Sequence, residues 1–76
     1  MFNELDSVVL SRNINEYGLK SGDVGAIVHR YADAKAYEVE FITGEGKTVA
    51  VVTLTEKDIR SIERQEILHV RSYAEA

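Results

Sequence analysis

Cysteine is absent from the sequence, which excludes disulfides and thiolate-ligated zinc as supports for the core. The same absence fits a reducing cytoplasm. The only two histidines, His29 and His69, cannot by themselves furnish a structural metal site, and no cofactor is expected. Proline is missing too, so the turns fall to glycine, asparagine, aspartate and serine. No apolar run approaches the roughly 18 residues needed to span a bilayer. Met1 to Asp6 has neither the basic start nor the apolar stretch of a signal peptide. A soluble cytoplasmic protein with no membrane partner is expected.

Basic charge is also scarce. Nine Lys and Arg stand against 13 Asp and Glu, a net charge of -4, which weakens any general attraction to phosphate backbones. The signs are uneven. Residues 32–59 carry six acids against three lysines, whereas Arg60 to Arg71 holds three arginines against two glutamates. A basic tail after an acidic sheet can pair with its own domain or with a copy of it. At 76 residues the chain is one small domain, and chains of this size bury only about 60% of the surface exposed when unfolded. Its stability rests on Val, Ile, Leu, Phe and Tyr.

What the sequence does contain is a succession of short β-branched runs separated by turn glycines. Asp6 to Arg12 suits a first strand, with Val8 and Leu10 on one face. Asn13 to Gly22 reads as a long loop pinned to the core by Leu19. A second strand over 24–31 sets Val24, Ala26 and Val28 on one side and Ile27, His29 and Tyr31 on the other. After the connection Ala32 to Lys35, the alternation Tyr37-Glu38-Val39-Glu40-Phe41 marks an antiparallel strand with one wet face. Thr43 to Lys47 is a tight turn. Thr48 to Leu54 is apolar on both faces, so this fourth strand reads as central or covered on its second side. Thr55 to Ile59 suggests one 3-10 or helical turn near 56–59, capped by Thr55 with Asp58 reaching back. Arg60 to Glu63 returns as a fifth strand.

About five antiparallel strands and one turn make an all-β, SH3-like barrel with a core over 5–63 and an extension over 64–76. The extension contains Ile67, Leu68, Val70 and Tyr73, too apolar for an inert end. The Ile-Leu-His-Val run favours an additional C-terminal strand, and a helix over 61–70 is the competing reading.

Little of this chemistry is catalytic. His29 shares a predicted face with Tyr31 and has Asp23 and Asp33 nearby in sequence, ordinary spacing for a strand and its turns. Glu38 and Glu40 read as solvated carboxylates on a wet face, with no third ligand spaced to hold a cation with them. Gly44-Glu45-Gly46-Lys47 lacks the glycine spacing and the Ser of a phosphate loop. Arg12, Lys20, Arg30 and Lys35 with Tyr17 and Tyr31 are the candidates for nucleic-acid contact, disfavoured by the acidic balance. Tyrosine supplies most of the aromatic content, and it is enriched at interfaces because its ring packs while its hydroxyl stays wet. Tyr17, Leu19, Tyr31, Leu68, Val70 and Tyr73 are therefore the candidate protein-binding residues.

Leu5 to Arg60 resembles a bacterial family of short domains of unknown function (domain of unknown function 4926). The resemblance lies in Glu4-Leu5-Asp6-Ser7-Val8-Val9-Leu10 and in Gly18-Leu19-Lys20-Ser21-Gly22-Asp23-Val24-Gly25. It continues in Tyr37 to Phe41 and in Leu54-Thr55-Glu56-Lys57-Asp58-Ile59-Arg60, and covers roughly three quarters of the chain. It implies a barrel and an interaction role, some such proteins being encoded beside toxin-like genes, and it supplies no catalytic residue. The expectation is a non-enzymatic module that binds a bacterial protein, toxin-like or enzymatic. Self-assembly through the C-terminal segment and a small nucleic-acid-binding barrel are the alternatives.

Overall fold

Burial along the strands sorts the side chains into two faces. Tyr37, Val39 and Phe41 are buried while Glu38 and Glu40 are half-exposed, as the alternation requires. The computed structural model describes residues 2–33 and 35–73. Met1, Ala34 of the β2–β3 connection and residues 74–76 of the extension lie outside the described residues. The strands are β1 (Ser7–Leu10), β2 (Val24–Arg30), β3 (Tyr37–Ile42), β4 (Thr48–Leu54) and β5 (Ile59–Arg60). A 3-10 helix, Asn15–Tyr17, lies in the long loop between β1 and β2. The expected turn near 56–59 is a hydrogen-bonded turn over 56–58 rather than a helix. There Asp58 Oδ2 does reach back to accept from Thr55 N at 2.9 Å.

The order across the sheet is β4-β3-β2-β1-β5, with every neighbouring pair antiparallel. β4 and β5 are its two edges and share no ladder. The sheet is open, and the SH3-like barrel expected from the sequence does not form. Closure needs a last strand long enough to pair on both sides. β5 has two residues, and both face β1, Arg60 opposite Val9 and Ile59 opposite Leu10.

The same topology corrects the reading of β4. Although apolar on both faces, it pairs with β3 alone and is an edge strand, because the meander ends there and the chain crosses to β1. The face assigned to His29 also changes. A bulge between Ile27 and His29 takes one extra residue, so Ile27 stays in the core opposite Val39 while His29 emerges beside Glu38 on the outer face.

One cluster fills the inner face: Val8, Leu10, Ile27, Tyr37, Val39, Phe41, Leu54 and Ile59 from the strands, with Ile14 and Leu19 from the loop. Leu19 pins that loop as expected, since Ile14 and Leu19 exchange backbone hydrogen bonds of 2.8 and 3.1 Å. Tyr37 is fully buried, and its hydroxyl donates to Glu56 Oε2 at 2.8 Å. Phe2 meets its ring edge-on, with centroids 5.6 Å apart.

The additional C-terminal strand is not formed. Residues 61–73 are irregular, with neither strand nor helix, and part of the segment lies beside Val9 and Val24 on the outer face. Val9 points to that face yet is only 6% exposed, and beside it the half-buried Ile62 of the tail lines a shallow pocket of about 110 Å³. The inner-face cluster contains no residue of this segment, and among the described residues it is side chains that bond it to the domain.

Candidate functional site

The tail meets the domain at Asp23. The loop residues Lys20 to Asp23 fold into a turn in which Asp23 Oδ2 accepts from Lys20 N at 2.9 Å, while Asp23 N donates to Lys20 O at 3.0 Å. That turn is tied to β1, since Leu10 N donates to Asp23 O at 2.8 Å. Asp23 is thereby rigid and 9% exposed. Arg71 answers it with a two-pronged contact, Nε to Oδ1 at 2.8 Å and Nη2 to Oδ2 at 2.6 Å. Nη2 also donates to the Gly18 carbonyl at 2.9 Å, and His69 Nε2 lies 3.4 Å from Oδ1.

Burial by itself would raise the Asp23 carboxyl. The Arg71 hydrogen bonds, the Lys20 N–H and the charges of Arg71 and His69 outweigh it and hold the carboxyl below the ordinary carboxylate range.

Gly18 explains why the tail reaches this spot. Its φ of 68° ends the 3-10 helix in the left-handed region, and a Cβ there would stand 3.1 Å from Tyr73 Cε1. The ring of Tyr73 lies over the bare Cα, and its hydroxyl donates to Tyr17 O at 2.8 Å. The tail thus packs in cis on the loop of its own subunit. A cleft of about 250 Å³ remains between His69, Val70 and Arg71 and the β3–β4 turn at Thr43 and Gly44.

A second fork anchors the tail upstream. Arg60 of β5 donates Nη1 and Nη2 to the two Glu66 carboxylate oxygens, each at 2.7 Å. Glu66 Oε1 also accepts from Glu63 N at 2.7 Å. The Arg60 hydrogen bonds, joined by the Glu63 N–H, keep the Glu66 carboxyl below its usual range. Between the forks run Ile67, Leu68, His69 and Val70. Ile67 and Val70 are each 93% exposed, and Leu68 is 65% exposed.

The candidate binding residues therefore separate. Tyr73 meets Tyr17 where the tail crosses the loop, Val70 lines the cleft beside Tyr73, and Leu68 lies farther upstream beside Val9 and Arg60. Tyr31 lies at the other end of β2, its hydroxyl bonded to Glu38. Leu19 is 3% exposed and belongs to the core, so it offers no contact surface. Sequence reasoning passed over Asp23, Arg71 and Ile67 as members of one site. The tight turn at Ser21-Gly22-Asp23 was a visible signal, but a partner 48 residues away leaves no local trace.

The other constellations dissolve in three dimensions. His29 meets Tyr31 edge-on at 4.8 Å and Glu4 at 3.7 Å, with Asp23 at the far end of β2 and engaged by Arg71. Glu38 is satisfied by Tyr31 and Thr53, which hold its carboxyl low, and Glu40 by Thr48 at 2.8 Å. Arg12 is paired with Asp58 at 2.8 Å near one end of β2, while Arg30 and Lys35 flank the other, so the four basic candidates share no face. Among the described residues no group of three metal-ligating side chains forms, and no helix is long and apolar enough to cross a membrane.

The fork at Asp23 makes a testable statement about the tail. Arg71→Ala is expected to free residues 67–73 while changing the sheet's melting temperature little, because the inner-face cluster contains no residue of the tail. Loss of this partly exposed pair weakens docking by about 1–2 kcal/mol, at the modest end for charge-assisted bonds because solvent screens it. Chymotryptic cleavage in the tail should speed up about tenfold, and an unchanged rate would contradict the assignment. Acid should act similarly in the parent chain. A depressed carboxylate contributes its full stabilisation above its unfolded pKa and loses it as pH falls through the folded one. Docking should hold at neutral pH and fail only below the ordinary Asp range.

The comparison with known families gives one match. A family model described as Domain of unknown function (DUF4926) matches residues 4–61, which covers the whole sheet and stops before the tail. No curated protein and no solved structure matches the chain.

Proposed function

We propose that this chain, which belongs to the family described as Domain of unknown function (DUF4926), is a non-enzymatic protein-interaction module whose contact surface is the segment Ile67 to Val70. One observation carries the reading: an apolar segment is held between two arginine–carboxylate forks with Ile67 and Val70 pointing into solvent. Fixing such a segment in advance removes part of the ordering cost that a flexible tail pays on binding. Exposed apolar side chains that serve no core gain most by docking into another protein's apolar groove. Half-exposed Tyr17 and Tyr73 flank the segment and suit the rim of such a contact. The proposed partner is a cytoplasmic bacterial protein, toxin-like or enzymatic, a class suggested by the resemblance of the domain.

The test compares the full chain with an Ile67→Ser, Val70→Ser double variant in capture from the native cell, followed by calorimetry on the purified pair. Both side chains are exposed, so the fold should be unaffected. Affinity is expected to drop at least about tenfold, the equivalent of losing one well-packed apolar anchor. A partner bound equally well by both forms would overturn the proposal.

A further inference from the structure

The two edges of the sheet are built differently. β5 is two residues long, carries Arg60 and lies beneath the tail. β4 is seven residues long, Thr-Val-Ala-Val-Val-Thr-Leu, with no charge and no proline. Beyond its ladder with β3, no backbone hydrogen bond involves residues 48–54 among the described residues. Proteins ordinarily guard a free edge with lysine, proline, a bulge or a short strand, because its unpaired N–H and C=O groups template another strand. Here the only irregularity is the register shift at Phe41/Ile42, at the start of the strand. From Ala50 to Leu54 the edge is unguarded.

We propose that β4 pairs antiparallel with β4 of a second copy of this chain, about a two-fold axis at Val51, joining two five-stranded sheets into one. The inference concerns a different surface from the tail and does not depend on its role. At this register Val51 faces Val51 of the copy on the outer face. Ala50 faces Val52 on the core face, where both already line or pack against the cluster. Val51 is 49% exposed in the single chain, and the neighbouring Ile42 is exposed as well, so both gain cover.

Charge selects the second copy as the occupant and antiparallel as the direction. The uncharged run is bounded by Glu45 and Lys47 on one side and by Glu56 and Lys57 on the other. Glu45 and Lys57 lie in the flanking turns, but the two-fold brings Lys47, beside the first residue of β4, to the end of the copy's strand where Glu56 stands. A parallel arrangement would set each charge beside its own kind. The isologous contact is therefore self-complementary. A junction of one strand pair lies at the small end of interfaces, so micromolar association is expected rather than a permanent dimer.

Sedimentation equilibrium of the full chain, from low micromolar to near-millimolar concentration, tests this. The weight-average mass should rise from one chain toward two. Val51→Lys places like charges at the axis on a side chain that solvent already reaches, and should weaken the dimer about tenfold or more. Val51→Glu should do the same, and an equimolar mixture of the two variants should restore association. Melting curves at low concentration check that each variant folds. A chain that stays monomeric throughout, or a Val51→Lys dimer as tight as the parent, would overturn the pairing. So would a dimer abolished only by Ile67→Ser and Val70→Ser, which would place self-association in the tail.

Discussion

Ile27→Ala is expected to leave the chain largely unfolded at 25 °C. Ile27 is fully buried at the middle of β2, opposite Val39, and lies in the single cluster that forms the core. Its backbone also ties down the N-terminal segment: Leu5 N donates to Ile27 O at 2.7 Å, and Ile27 N donates to Asp6 O at 2.9 Å. Truncating a buried Ile to Ala costs about 2–5 kcal/mol, the upper values applying where neighbours cannot collapse into the void. Here they are held by strand ladders on both sides. A domain of this size, without disulfides or metal, has only about 3–5 kcal/mol to lose. The conservative change separates packing from backbone effects. Ile27→Val removes one methyl, should cost about 0.5–1.5 kcal/mol, and should leave a folded chain with a lower urea midpoint. Circular dichroism with urea titration reads both. An Ile27→Ala chain that melts like the parent would show that the core does not centre on β2.

Gly25→Ala should be the next most damaging change, although it adds a single methyl to a residue that alanine usually replaces well. Gly25 sits opposite Val8. A Cβ there would stand 2.7 Å from Val39 Cγ1, 2.8 Å from Phe41 Cε1 and 3.0 Å from the Glu40 carbonyl oxygen. Two of these belong to buried core side chains and the third to the backbone of β3, so none can swing clear. Overpacking of this kind costs about 1–3 kcal/mol. That corresponds to a fall in melting temperature of about 4–8 °C for each kcal/mol in so small a domain. Gly44→Ala is the control, since a Cβ there meets nothing within 4 Å and the effect should stay within about 0.5 kcal/mol. Equal melting temperatures for the two variants would mean that β3 packs less closely on Gly25 than the structure shows.

The sheet was legible where a local pattern decides the outcome. Tyr37 to Phe41 alternates cleanly because one face is buried and the other wet. Leu19 anchors the long loop because it is the apolar residue between turn formers. The failures have a common physical source: they depend on which strand finds which neighbour. Val49 to Val52 is apolar on both sides whether its strand ends a meander or sits in the middle of a sheet, so its pattern misread an edge as an interior. Closure of the sheet hung on β5, whose two paired residues carry too little pattern to reveal that they face only β1. The bulge at Ile27/His29 reversed the face of His29 without any glycine to announce it. In the tail, Ile67 to Val70 has the composition of a strand, yet its place is set by Arg60 and Arg71 finding Glu66 and Asp23. Charge pairing across 48 residues has no periodicity to read.

Arg60 belongs at once to β5 and to the upstream fork. Its backbone pairs opposite Val9 while its guanidinium holds Glu66. Fraying of that short margin therefore unlatches the tail as well, whereas loosening at the β4 margin leaves the latch shut. The chain's thinnest rung works as a hinge pin, and breathing there decides how long the apolar segment stays poised.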